Sequence, residues 1–200
     1  HVLSPELFAL VQPLRQLLGP IMRPKRAATI QLTLADQGVD IGLAGIEAEG
    51  LVAAEALTTF GERYKLARLS LDEGYGAEAR YEPVLATVTL SGMPVALPIG
   101  GFLQATRDGE AALVAAVRKG VAGAHRTADL FAGLGTFALA LEGEVTAAEA
   151  SREAVLSLKA AADRAGRLLS TAHRDLYRNP YQPAELAGFD AVVLDPPPSS

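Results

Sequence analysis

The sequence predicts an α/β chain, with an open parallel sheet over residues 99–200 preceded by a smaller α+β domain over residues 1–98. Three observations carry that expectation. From Thr106 onward helical and strand patterns alternate, which implies parallel strands joined by crossovers. Within that half, the apolar run Thr127-Ala128-Asp129-Leu130 passes through Gly133 and Gly135 into Ala138-Leu139-Ala140-Leu141, as a buried strand does when it turns tightly into a helix. Residues from about 25 to 98, by contrast, are strand-rich with one helical pattern.

Taken in order, the chain opens with a helix. Ser4 can cap it and Pro5 suits its first position. Leu7, Leu10, Val11, Leu14, Leu17 and Leu18 form an apolar stripe, with a kink expected at Pro13 and a stop at Gly19-Pro20. Arg23, Lys25 and Arg26 make a tight basic cluster, either a solvated linker or a phosphate contact. Alternation over residues 27–34, a turn at Ala35-Asp36-Gln37-Gly38 and a return over residues 39–43 predict a hairpin. A helix is expected over residues 53–64, a strand over 66–71, a loop at Gly74-Tyr75-Gly76, and a second hairpin of residues 81–90 with 95–97 across Ser91-Gly92. Residues 110–119 read as a helix broken by Gly120 to Gly123. After the glycine turn come a strand ending at Glu149, a helix over 152–164, a strand over 167–172 and a polar stretch through Asp175. The last strand, residues 189–194, runs into Asp195-Pro196-Pro197.

The candidate site lies where these strands end. Gly133 and Gly135 permit φ > 0 and close approach of a ligand, and a helix starting there would offer unpaired N–H groups. Glu149, roughly fourteen residues past Gly135, is placed to accept both hydroxyls of a ribose, as in dinucleotide-binding sheets. Asp195 stands at the carboxyl edge of the last strand, where two prolines fix the chain. Ligands of open α/β sheets bind at such edges, at the point where strand order reverses.

Bulk properties narrow the classes. Half the residues are hydrophobic and 20% are charged, which is ordinary globular composition. The net charge of −5 argues against a free-standing nucleic-acid binder that works by phosphate neutralisation alone. With no cysteine, these residues hold no disulfide, thiolate metal site or cysteine nucleophile. His1, His125 and His173 lack metal-ligand spacing, and no metal is assigned. Neither a signal peptide nor an apolar run of ~20 residues is present, so a soluble, cytoplasmic, monomeric chain without a membrane partner is expected.

Four segments, in order, resemble one family. Phe102-Leu103-Gln104-Ala105-Thr106, the run from Asp129 to Phe137, Glu149 after its strand, and Asp195-Pro196-Pro197 are similar to motifs of RNA (uracil-5-)-methyltransferases, S-adenosylmethionine-dependent enzymes that make 5-methyluridine in tRNA or 23S rRNA. The resemblance implies a Rossmann-like methyltransferase sheet of which the first four strands are present. It implies that Gln104, Phe131, Gly133, Gly135, Thr136, Glu149 and Asp175 contact S-adenosylmethionine, and that Asp195 lies between the methyl sulfonium and the target base. Thr106 and Thr136 depart from the family's usual asparagines, and Pro198 from its usual arginine. The family's chemistry also needs a thiolate that adds to C6 of uracil and a base that removes the C5 proton. Both lie further along in the family, so the resemblance implies an internal portion of a longer enzyme that binds RNA as a whole, with the open side of the sheet awaiting further strands. Two other classes fit parts of the sequence. Gly133-Leu134-Gly135-Thr136-Phe137-Ala138 formally matches a nicotinamide-dinucleotide fingerprint with Glu149 on the ribose, and a non-catalytic RNA-binding module would also lack the nucleophile.

Overall fold

A computed structural model describes residues 4–22, 27–48, 50–101, 103 and 106–196, and the chain divides into two compact units, residues 1–88 and 89–200. The basic cluster Arg23, Lys25 and Arg26 lies outside the described residues, as does Gln104.

The first unit opens with two helices where the apolar stripe predicted one: α1 (Pro5–Ala9) and α2 (Val11–Leu18). Ser4 caps α1, its Oγ accepting the Leu7 N–H at 3.5 Å. Pro13 accounts for the break. It has no N–H for the carbonyl of Ala9, and its ring crowds that same carbonyl, so the first helix ends there. Next come β1 (Thr29–Ala35), β2 (Gly38–Ala44), α3 (Leu51–Arg63), β3 (Arg68–Asp72) and β4 (Ala77–Tyr81). They form one sheet in the order β1-β2-β3-β4, with the β2–β3 pair parallel because α3 crosses between them. Leu14, Leu57 and Phe60 of the helices pack with Ile41, Leu43, Leu69 and Leu71 of the central strands. Across that pair Asp40 faces Arg68 in register, and the buried guanidinium donates twice to the carboxylate, at 2.9 and 2.7 Å.

The expected strand over residues 81–90 is interrupted. Tyr81 ends β4, which joins β3, while β5 (Thr87–Leu90) pairs with β6 (Met93–Ala96). Pro83 stands in the gap and cannot donate to a ladder, so one continuous strand is ruled out. The turn itself is as expected: Ser91 and Gly92 both take positive φ, +48° and +79°, as tight two-residue hairpins require.

The second unit continues with α4 (Arg107–Gly120), capped by Thr106, whose Oγ1 accepts the Gly109 N–H at 3.1 Å. Then follow β7 (Arg126–Leu130), β8 (Glu144–Glu149), α5 (Arg152–Arg164), β9 (Leu169–His173), the single turn α6 (Pro183–Leu186) and β10 (Ala191–Leu194). Their sheet is wholly parallel, in the order β10-β7-β8-β9. The chain therefore steps outward from β7 to β9 and returns to the other side of β7, which makes the β7–β10 boundary the point of reversal. Ser151 caps α5, and Val155, Leu158, Ala161 and Ala162 are its buried positions.

After the glycines the structure corrects the sequence reading. Residues 133–140 are consecutive turns, not a helix. Leu139 donates to the Gly135 carbonyl at 2.9 Å and Leu141 to that of Phe137 at 3.1 Å, yet no regular helix develops. Phe137, Ala138, Leu139 and Leu141 are all buried, and β8 begins at Glu144, so the segment has room only to coil once under cover. The amide-rich helix start expected above the glycines is absent with it.

Candidate functional site

The sheet of the second unit sets its functional candidates at the carboxyl ends of β7, β8, β9 and β10. Beyond Leu130 the chain leaves β7 through Phe131, a non-glycine residue at φ +64°. Such a backbone costs energy and persists where the surroundings impose it, often at ligand sites. Gly133 follows at φ +55° and Gly135 at φ +94°. The two glycines do different work. A Cβ on Gly135 would overlap Leu158 of α5, so this position is held empty by packing. A Cβ on Gly133 would meet nothing within 4 Å, so its open side leaves the loop backbone approachable.

Glu149 fastens this loop. Its Oε2 accepts the Gly133 N–H at 3.0 Å and its Oε1 accepts the Ser151 N–H at 2.8 Å. The half-buried carboxylate thus spans from the end of β8 to the glycine turn of β7. Each oxygen keeps lone-pair capacity for a further donor. On the other flank, the Asp195 N–H donates weakly to the Leu130 carbonyl at 3.4 Å, which sets Asp195 beside the root of the same loop with its side chain exposed. Thr136 is half-buried within the turns.

Asp175 is placed differently. Its Oδ1 accepts the N–H groups of Tyr177 (3.0 Å) and Arg178 (3.2 Å), so it shapes the turn after β9. That turn nonetheless reaches the glycine loop, since the Tyr177 ring lies 5.2 Å from that of Phe131 at 54°. Arg174 holds the following loop together. It pairs with Glu185 at 2.6 Å, donates to the carbonyls of Asn179 (2.6 Å) and Pro180 (2.8 Å), and lies over the Tyr181 ring at 4.0 Å.

One residue of this site was not singled out by the sequence. Asp129, the penultimate residue of β7, is 0% exposed, and neither carboxylate oxygen has a hydrogen-bond partner. Burial weakens it as an acid, raising its pKa to about 7, and the nearby charges of Asp195 and Glu149 add to the rise. The backbone N–H of Ala138 acts the other way and lowers it. An acid inside an otherwise apolar strand was the available signal. The structure thus brings Phe131, Gly133, Gly135, Thr136, Glu149 and Asp195 to one edge around Asp129, with Asp175 linked through Tyr177. Among the described residues there is no cluster of three or more potential metal ligands, and no helix is long and apolar enough to cross a membrane.

No protein-family profile matches the chain. Among curated proteins it is 49% identical over 198 residues to an uncharacterized RNA methyltransferase of Zymomonas mobilis, covering 98% of this chain and 50% of that protein. It is 39% identical over 206 residues to another from Caulobacter vibrioides, covering 98% and 48%. To the 23S rRNA (uracil(1939)-C(5))-methyltransferase RlmD of Chromohalobacter salexigens it is 32% identical over 211 residues, covering 98% and 43%. The chain spans about half the length of the curated relatives it matches. Among solved structures, a Pyrococcus abyssi tRNA (uracil-54, C5)-methyltransferase in complex with S-adenosyl-L-homocysteine superposes with a TM-score of 0.61 at 17% identity, over 84% of this chain and 43% of that one. A likeness at that identity speaks for the fold.

Proposed function

We propose that this chain carries the methyl-donor half of an S-adenosylmethionine-dependent RNA methyltransferase that acts on C5 of a uridine in rRNA or tRNA. The observation that carries the reading is the glycine loop of β7, fastened by Glu149 and flanked by Asp195 at the point where strand order reverses. The relatives named RNA methyltransferases support the class of reaction. The C5 atom of uridine is supported by the RlmD protein and by the fold shared with the tRNA uracil-54 enzyme.

The residues present suit an adenosyl ligand with a cationic tail. The free lone pairs of Glu149 would take the ribose hydroxyls, as in Rossmann-like sheets. Gly133 leaves its backbone open on the side an incoming ligand would use. The Phe131 and Tyr177 rings offer apolar surface at the strand ends, Asp175 keeps Tyr177 in place, and Thr136 adds a hydroxyl. Asp195, exposed at the end of β10, would lie between the donor and the base, and Gln104 would approach from the segment before α4. When bound, S-adenosylmethionine supplies an electrophilic methyl group; this chain's share of the work is to bind and orient it. A nicotinamide-binding reading would also use Glu149, but none of the proteins compared above is an oxidoreductase. The reading is tested by incubating the longer protein that contains this chain with methyl-labelled S-adenosylmethionine and rRNA or tRNA transcripts, then digesting the RNA to nucleosides. Label in 5-methyluridine is expected. Label in another nucleoside would overturn the C5 assignment.

A further inference from the structure

Among the described residues, the buried side-chain atoms without a hydrogen-bond partner are the two carboxylate oxygens of Asp129. In most proteins such atoms are paired, and an unpaired one calls for a reason. No side chain beside Asp129 supplies the missing donor, and the group that opposes its burial is the backbone N–H of Ala138. At its own register stand Ala147 on β8 and Val193 on β10, both without a polar side chain. The turns above it, residues 130–141, contain no charged residue. The charged groups that act on it are Asp195, after β10, and Glu149, at the end of β8, and no cation is among them. Three carboxylates therefore share one strand edge, and the fully buried one lacks both solvent and partner.

We propose that Asp129 is a proton-linked positioning residue: its carboxyl is neutral in the free protein and releases its proton when a ligand cation seats among Asp129, Glu149 and Asp195. The inference rests on reading this site as one for an adenosyl ligand with a charged tail. Its physical basis is through-space and needs no direct contact. Neighbouring negative charge and burial keep the proton on Asp129, and a cation entering the same space favours the ionised form. An adenosyl ligand can bring two cations, the ammonium of the amino-acid tail and the sulfonium of the methyl donor. Binding of a cationic ligand should thus strengthen as pH rises through neutrality, while a neutral adenosyl ligand should be indifferent to it.

The test is calorimetric titration of the longer protein that contains this chain, in two buffers of different ionisation enthalpy, which counts protons released on binding. The ligands are S-adenosylmethionine, S-adenosylhomocysteine (ammonium without sulfonium) and 5′-methylthioadenosine (neither). At about pH 6.5, S-adenosylmethionine should release on the order of three-quarters of a proton, and 5′-methylthioadenosine none. Release with S-adenosylhomocysteine as well assigns the effect to the ammonium, and its absence to the sulfonium. Asp129→Asn should abolish release. A second measurement needs neither variant nor ligand: carboxyl carbon NMR of the free wild-type protein should show one aspartate titrating near neutrality. Binding of S-adenosylmethionine without proton release, or equal release from 5′-methylthioadenosine, would overturn the linkage while leaving the cofactor reading intact. No binding of any of the three would remove both.

Discussion

Replacing Asp129 by asparagine should make this protein more stable at alkaline pH, although the change is in the core. The wild-type carboxyl is 0% exposed, unpartnered, and raised from 3.8 to about 7. Below about pH 4 it is protonated in both folded and unfolded chains and costs nothing extra. Between about pH 4 and 7 the unfolded chain gives up the proton while the folded one keeps it, so stability falls as pH rises. Above about pH 7 the loss is complete, and at about 1.4 kcal/mol per pH unit it amounts to about 4 kcal/mol. Asparagine cannot ionise, and its unsatisfied amide stands where the protonated acid already buries an unsatisfied carboxyl. The variant should therefore approach a gain of about 4 kcal/mol at about pH 8 and differ little from wild type at about pH 4. Urea unfolding followed by circular dichroism across that range reads both values. Parallel stability profiles for the two proteins, or a variant weaker than wild type at about pH 8, would refute the reasoning.

Three further substitutions test what holds each unit together internally. Asp40→Ala removes both hydrogen bonds of the buried Arg68 guanidinium to its facing carboxylate and leaves it the looser pair with Glu82 at 3.6 Å, so it should cost up to about 3–5 kcal/mol in urea unfolding, more than loss of a surface pair. Gly135→Ala combines a positive φ with overlap onto Leu158, and should destabilise the second unit by about 1–3 kcal/mol, whereas Gly133→Ala, with open space around its Cβ, should cost less. Thermal unfolding of the two glycine variants side by side gives the comparison, and equal losses would contradict the packing role of Gly135.

The sequence made the strand ends legible because their signals are local. An apolar run, two glycines and a carboxylate after the next run place Phe131, Gly133 and Glu149 without knowledge of any tertiary contact. Asp195 followed by Pro196 is legible for the same reason. What stayed hidden depends on neighbours distant in sequence. Asp129 is orphaned because Ala147 and Val193 flank it, and that register exists only once the sheet has formed. The Ala138-Leu139-Ala140-Leu141 stretch has good helical propensity, but burial on every side and the early start of β8 left it as turns. Asp175 shows the reverse case. Its position after β9 was legible, but its bonds to the N–H groups of Tyr177 and Arg178, and through Tyr177 the link to Phe131, are features of the folded turn.

The most direct test of the account is calorimetric titration of this chain with S-adenosylhomocysteine, with NADH as the competing ligand, on wild type and Glu149→Ala. The carboxylate both ties Gly133 and offers charged acceptors to a ribose, and loss of charge-assisted hydrogen bonds worth about 1.5–3 kcal/mol each predicts weakening of roughly tenfold or more. S-adenosylhomocysteine should bind wild type, bind the variant more weakly, and NADH should bind neither. Binding of NADH in its place, or S-adenosylhomocysteine binding that ignores the loss of Glu149, would contradict the account.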